Sequence, residues 1–169
     1  LRLIEAESVR ANADALGEGA HIIYAGDFNV YRADEAMYQH LLSSGAGKAN
    51  DPIGRAGSWN DAVEFIDVHT QSPADATQYG GQTLGGMDSR FDFQLSTDEF
   101  HDNEGLSYIG ADSGPGLVHS YHAFGNNGSH LLNQAITTGT GASVAVLNAL
   151  MTSSDHLPVV ADYQLPAKM

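Results

Sequence analysis

The 169-residue sequence predicts a mixed helix-and-strand fold, α/β or α+β, on three observations. Helix-like and strand-like patterns interleave along the chain. Phe91, Phe93 and Leu95 alternate with Asp92, Gln94 and Ser96, the period-two signature of a half-buried strand. Hydrophobic residues make up 42% of the chain and charged residues only 17%, enough apolar content for a core and too little charge for disorder. The length suits a single domain over residues 1–169, without internal repeats.

Each element follows from local pattern. Leu1, Ile4, Val9, Ala13 and Leu16 recur at helical spacing and predict an amphipathic helix, ended by Gly17 and Gly19. His21 to Ala25, a β-branched and aromatic run between glycines, predicts a buried strand that stops at Gly26-Asp27-Phe28-Asn29. Asp34 to Leu42 has helical composition, with Ala36, Met37 and Leu41 on one face and Gly45 as its stop. Residues 45–60 read as loop. Val63 to Val68 suits a strand, and the polar, glycine-containing stretch to Gly86 suits irregular structure. After the strand around Phe91 to Ser96, Leu106 to Ile109 is a weaker strand. Residues 111–141 read as surface loop with one helical turn around His130 to Ala135. Ser143 to Met151 predicts a helix, and Val159 to Gln164 a last strand.

Twenty-one acidic and seven basic side chains leave a net charge of −14. Such a chain binds nucleic acid poorly unaided, because phosphate-backbone affinity comes mainly from lysine and arginine; a phosphate substrate would need metal ions. The absence of cysteine excludes disulfides, thiolate metal sites and a cysteine nucleophile. No apolar run approaches the ~20 residues of a membrane span, and the amino end lacks a signal-peptide layout. The first residue, Leu1, points to a processing site, an imposed boundary or a truncation. Two lysines, an acidic balance and many Asn, Gly and Ser residues suit a secreted or periplasmic bacterial protein.

Most familiar motifs are missing. Gly17-Glu18-Gly19 follows a helix and precedes a strand, the reverse of a dinucleotide fingerprint. Gly45-Ala46-Gly47-Lys48 lacks the spacing of a phosphate loop, and there is no G-x-S-x-G elbow. Asp98, Glu99, Asp102 and Glu104 lack EF-hand spacing and read as a solvated acidic loop, with loose calcium binding as the alternative. Asn127-Gly128-Ser129 is a glycosylation pattern too common to weigh. His119, His122 and His130 lie close enough in sequence to build a metal site, although exposed loop histidines are the simpler reading.

Three segments form a set: Gly26-Asp27-Phe28-Asn29, Arg90-Phe91-Asp92-Phe93 and Ser154-Asp155-His156-Leu157-Pro158-Val159. Asp27 and Asn29 are also ordinary turn residues, and Asp155-His156 before leucine and proline also suits a loop start. Aspartate within a strand, as at Asp92, is depleted unless paired or at an edge. If neighbouring strand ends bring the three segments to one rim, carboxylates can hold a hard divalent cation and an imidazole can supply acid/base or oxyanion contacts to a phosphate ester.

Together the three motifs resemble the endonuclease/exonuclease/phosphatase superfamily, the DNase I-like fold, over roughly Ala20 to Tyr163. The resemblance implies a metal-dependent phosphoesterase acting through an activated water. Asp27 would orient or deprotonate that water, and Asn29 would bind a phosphate oxygen or the metal. Asp155 would be a metal ligand together with Asp27 and Asn29. His156 would contact the scissile phosphate, with Asp92 hydrogen-bonded behind it. The implied cofactor is magnesium or manganese, with calcium as a further option. Arg90 is expected to anchor the strand or the site rim.

The motifs present are those of the family's carboxyl-terminal half, so the resemblance implies about half of the usual four-layer sandwich. The family's glutamate metal ligand has no counterpart here. One sheet face would then need a partner, either a separate amino-terminal half or a second copy in a homodimer. Nuclease or phosphodiesterase action on DNA, RNA or a small phosphodiester is the first functional reading. The alternatives are hydrolysis of small-molecule or lipid phosphate esters, and a catalytically incomplete half-domain that acts only through assembly.

Overall fold

The computed structural model describes residues 1–102, 104–110 and 120–165, and its class is α+β. Helix α1 spans Arg2–Leu16 and ends where Gly17 takes a left-handed φ of 84°. Its buried stripe is Ala6, Arg10 and Ala13, whereas Leu1, Ile4, Val9 and Leu16 are exposed. The predicted helix is present, but its face is not the predicted one. Arg10 explains the difference. Its Nη1 donates to the carbonyl oxygens of His40, Leu41 and Ser43 at the carboxyl end of helix α2 (Ala36–Leu42). Its Nε pairs with Asp14 at 3.0 Å. Small alanines on either side of Arg10 let the two helices approach.

Strand β1 (Ile23–Asp27) pairs antiparallel with β3 (Asp92–Thr97), and β3 pairs on its other side with β2 (Ala49–Asn50). The sheet order is β1-β3-β2, which leaves β1 at an edge. Residues 45–60 were expected to be all loop, but a two-residue strand has no readable period and β2 is recruited by the free side of β3. Phe93 and Leu95 carry the β3 alternation into the main core, beside Tyr24, Tyr38, Leu41 and Trp59.

Val63–Val68 is a 3-10 helix rather than a strand. Its buried residues, Phe65 and Val68, are three apart, which matches the 3-10 repeat and not strand alternation. The predicted strand Val159–Gln164 is split. Strand β6 (Val159–Val160) pairs with β5 (His122–Ala123), and β7 (Tyr163–Gln164) pairs with β4 (Ser107–Tyr108). The chain changes partner at Ala161-Asp162. The helical turn expected around His130 lies later, as a 3-10 turn at Ile136–Thr138. Helix α3 (Val144–Ser153) starts at Ser143, whose hydroxyl accepts from the Val146 N–H. A second, smaller core of Met87, Ala123, Ile136, Leu147 and Leu157 lies under α3. Among the described residues no helix is long and apolar enough to cross a membrane.

Beneath the Phe91–Phe93 segment, Arg90 is 1% exposed and forms a two-pronged ion pair with Asp51 at 2.7 and 2.8 Å. Tyr38 donates its hydroxyl to the same carboxylate at 2.8 Å, and the guanidinium carbon lies 4.2 Å from the Phe93 ring centre. Burial is the strongest single influence on the Asp51 pKa and raises it, but the Arg90 charge and the hydrogen bonds from Arg90, Tyr38 and the Ile53 N–H together outweigh it, and the carboxyl is held below its ordinary value.

Candidate active site

The antiparallel register sets Asp27, the last residue of β1, directly opposite Asp92, the first of β3. Two like charges at that spacing repel. The imidazole of His156 relieves the repulsion. His156 donates from Nδ1 to Asp92 Oδ2 at 2.7 Å, and its Nε2 lies 3.9 Å from Asp27 Oδ2. The Asp92 hydrogen bond raises the His156 pKa above the usual imidazole value, against the lowering effect of partial burial. The charges of Asp92, Asp27 and Asp155 add to the rise. The structure thus brings together three of the five sequence-predicted residues around one ring.

Thr70, 1% exposed, sets that geometry. Its hydroxyl oxygen accepts from the N–H groups of Phe91 and Asp92, each at 3.1 Å, and its carbonyl accepts from the Leu157 N–H at 2.8 Å. One residue therefore fixes both the start of β3 and the backbone beside His156. Leu157, 2% exposed, fastens the same loop into the second core. The Ser154 hydroxyl accepts from the His156 N–H at 3.0 Å, completing the turn.

The remaining two predicted residues are placed differently. Asn29 adopts a left-handed φ of 52°, and its N–H donates to Asp27 Oδ1 at 2.8 Å. This is a side-chain-closed turn, a conformation asparagine tolerates better than most residues. Asn29 is exposed beside Asp27. Asp155 Oδ2 accepts from the Thr83 N–H at 3.0 Å. Burial, the largest single influence, raises its pKa, but the hydrogen bonds from Thr83 and from its own backbone N–H, with the His156 charge, together outweigh it, and the carboxyl lies below its ordinary value.

Two site residues were not readable in the sequence. Gln71 places its amide nitrogen 2.8 Å from His156 Nε2, and Thr70 is the hub just described. Their only sequence signal is position, directly after the Val63–Val68 segment. The histidine group singled out earlier does not assemble among the described residues. His119 lies outside them, His122 is exposed, and His130 is buried with Nε2 3.0 Å from the Ile66 carbonyl. Asp98 of the acidic stretch is paired with Lys48 at 3.0 Å.

The carboxylates fit a hard cation incompletely. One oxygen of Asp27 and one of Asp155 are each taken by a backbone N–H. Among the described residues no group of three or more His, Asp or Glu side chains is gathered to hold a metal ion. A cation with six or more oxygen ligands would need further donors from water, substrate or another segment. What the residues do supply is a base pair of carboxylates across an oriented imidazole. No protein-family model, curated protein or solved structure matches the chain.

Proposed function

We propose that the chain is the catalytic part of a phosphoesterase of the endonuclease/exonuclease/phosphatase type, most simply a phosphodiesterase, in a DNase I-like half-sandwich. The observation that carries this reading is the Asp92–His156–Asp27 arrangement, with 2.7 Å on one side of the ring and 3.9 Å on the other. Asp92 fixes the ring and favours its charged form. Nε2 then faces the place where a phosphoryl oxygen would sit, as a hydrogen-bond donor once the ring is protonated. Asp27, 41% exposed and at the strand end, is positioned to orient a water and accept its proton. Magnesium or manganese belongs to this proposal through the motif resemblance, with Asp27, Asn29 and Asp155 as the partial ligand set. The net charge of −14 favours a small or lipid phosphodiester over duplex DNA.

The test is hydrolysis of bis(p-nitrophenyl) phosphate, DNA, RNA and sphingomyelin with magnesium or manganese. His156→Ala is expected to lower the rate by about 100-fold or more. Unchanged metal-dependent hydrolysis by that variant would refute the assigned roles.

A second feature favours the assembly reading. Among the described residues the outer edge of β1 is unpaired, and an apolar groove of about 600 Å³ runs between it and α1, lined by Val9, Leu16, Ile22, Ile23, Phe28 and Leu41. Asp27 lies at the same groove. A second copy or a separate amino-terminal half seated there would bring its own groups to the site.

A further inference from the structure

Gln71 belongs to none of the three motifs, yet its amide nitrogen is the nearest polar group to the reactive face of His156. Its own backbone is fixed. The Gln71 N–H donates to the Ser89 carbonyl at 3.1 Å, and the Gln71 carbonyl accepts from Asp88 and Ser89 at 2.9 and 3.2 Å. On either side, Thr70 and Ser72 are 1% and 2% exposed, and their N–H groups donate to Ser89 and Gly86. Only the side-chain torsions of Gln71 are left free to move.

A plain filler role explains this poorly. The His156 side chain is 22% exposed, so water could satisfy Nε2 without a protein partner. The amide instead occupies the position that any group reacting at Nε2 must take. Asp27 Oδ2, 3.9 Å from the same nitrogen, borders that position. A phosphoryl oxygen arriving there displaces the amide, and because the backbone is pinned the displaced N–H group stays within one side-chain rotation of the bound oxygen.

We propose that Gln71 is a substrate-binding residue: its amide donates to His156 Nε2 while the ring is neutral, and donates instead to a non-bridging phosphoryl oxygen when a phosphate ester binds against the protonated ring. This rests on the phosphoesterase reading and adds to it a second donor beside His156. The ligand chemistry is a tetrahedral oxyanion presenting two oxygens, one to each donor. No bond is made or broken by Gln71.

The experiment is titration of the full chain with inorganic phosphate in magnesium-containing buffer, followed by NMR at the Gln71 side-chain amide and the His156 ring. Gln71→Met and Gln71→Glu are compared with the unaltered chain. Glutamate keeps the length and can accept a hydrogen bond from the protonated His156 ring but repels phosphate, so a filler role would survive it and a phosphate contact would not. Both signals are expected to shift together, with phosphate affinity lowered about 10- to 100-fold in both variants, the range of a hydrogen bond to a charged group. A shift at His156 with a silent Gln71 amide, or unchanged affinity in Gln71→Glu, overturns the role of Gln71 and leaves the phosphoesterase reading standing. Silence at both residues, with no hydrolysis by the unaltered chain, overturns both.

Discussion

Acid should weaken this fold in a window set by one histidine. His69 is fully buried, its Nε2 donates to the Trp59 carbonyl at 2.9 Å, and its Nδ1 has no partner among the described residues. Burial pushes its pKa down to about 4. The Trp59 carbonyl opposes that push, and the neighbouring His130 reinforces it. The unfolded chain binds a proton at this residue near pH 6.5, so between 6.5 and about 4 the unfolded state holds more protons than the folded one and stability must rise with pH. The gap corresponds to about 3 kcal/mol, fully lost only below pH 4, with about 2 kcal/mol already lost at pH 5. Asp51, with its lowered pKa, loses its contribution only as pH falls below 3.8, so the two effects are separate in pH. The assay is urea denaturation near pH 7.5 and pH 5 for the unaltered chain and His69→Gln, which keeps an N–H for Trp59 but cannot titrate. The variant should lose about 2 kcal/mol less between the two conditions, whatever its stability at pH 7.5. Parallel pH profiles for the two proteins would refute the argument.

Two further outcomes are expected. Asp51→Ala leaves the Arg90 guanidinium buried without its counter-charge and should cost about 3–5 kcal/mol in urea denaturation. A loss under about 1 kcal/mol would mean that Arg90 finds water or another partner. If α1 and the β1 edge form an interface, sedimentation should give a mass above one chain, and Val9→Glu with Ile23→Glu should return it to one chain. A single-chain mass for the unaltered protein would remove the homodimer and leave the separate amino-terminal half.

Much of the fold was legible because its signals are local. The alternation at Phe91, Phe93 and Leu95 locates β3, and Gly17 and Ser143 mark helix ends that the structure uses. The errors have a common cause, which is that long-range partners decide short elements. The Val63–Val68 segment has strand-like composition, yet what it buries is Phe65 and Val68 against the core. α1 looks amphipathic through its leucines and isoleucine, yet Arg10 takes the inner face because the carbonyl end of α2 needs donors. At the site, Asp92 and His156 were readable as chemistry because aspartate in a strand requires a partner. Gln71 and Thr70 were not, because a polar residue in an irregular stretch acquires meaning only from what folds against it.

Stability and site geometry share residues here, which limits how the site can be altered. Arg90 is buried against Asp51, the next two N–H groups along the chain, of Phe91 and Asp92, are held by Thr70, and Asp92 then holds His156. Thr70 also holds Leu157, which is packed in the second core. The 2.7 Å contact between Asp92 and His156 therefore spans two packed regions that meet at Thr70. Thr70→Val would keep the volume and remove the hydroxyl oxygen that both N–H groups use, leaving the buried Phe91 donor unsatisfied at about 1–3 kcal/mol and the part-buried Asp92 donor at less. Because that penalty falls on the start of β3 and not on the Arg90–Asp51 pair, the Asp92–His156 contact should loosen before the core does.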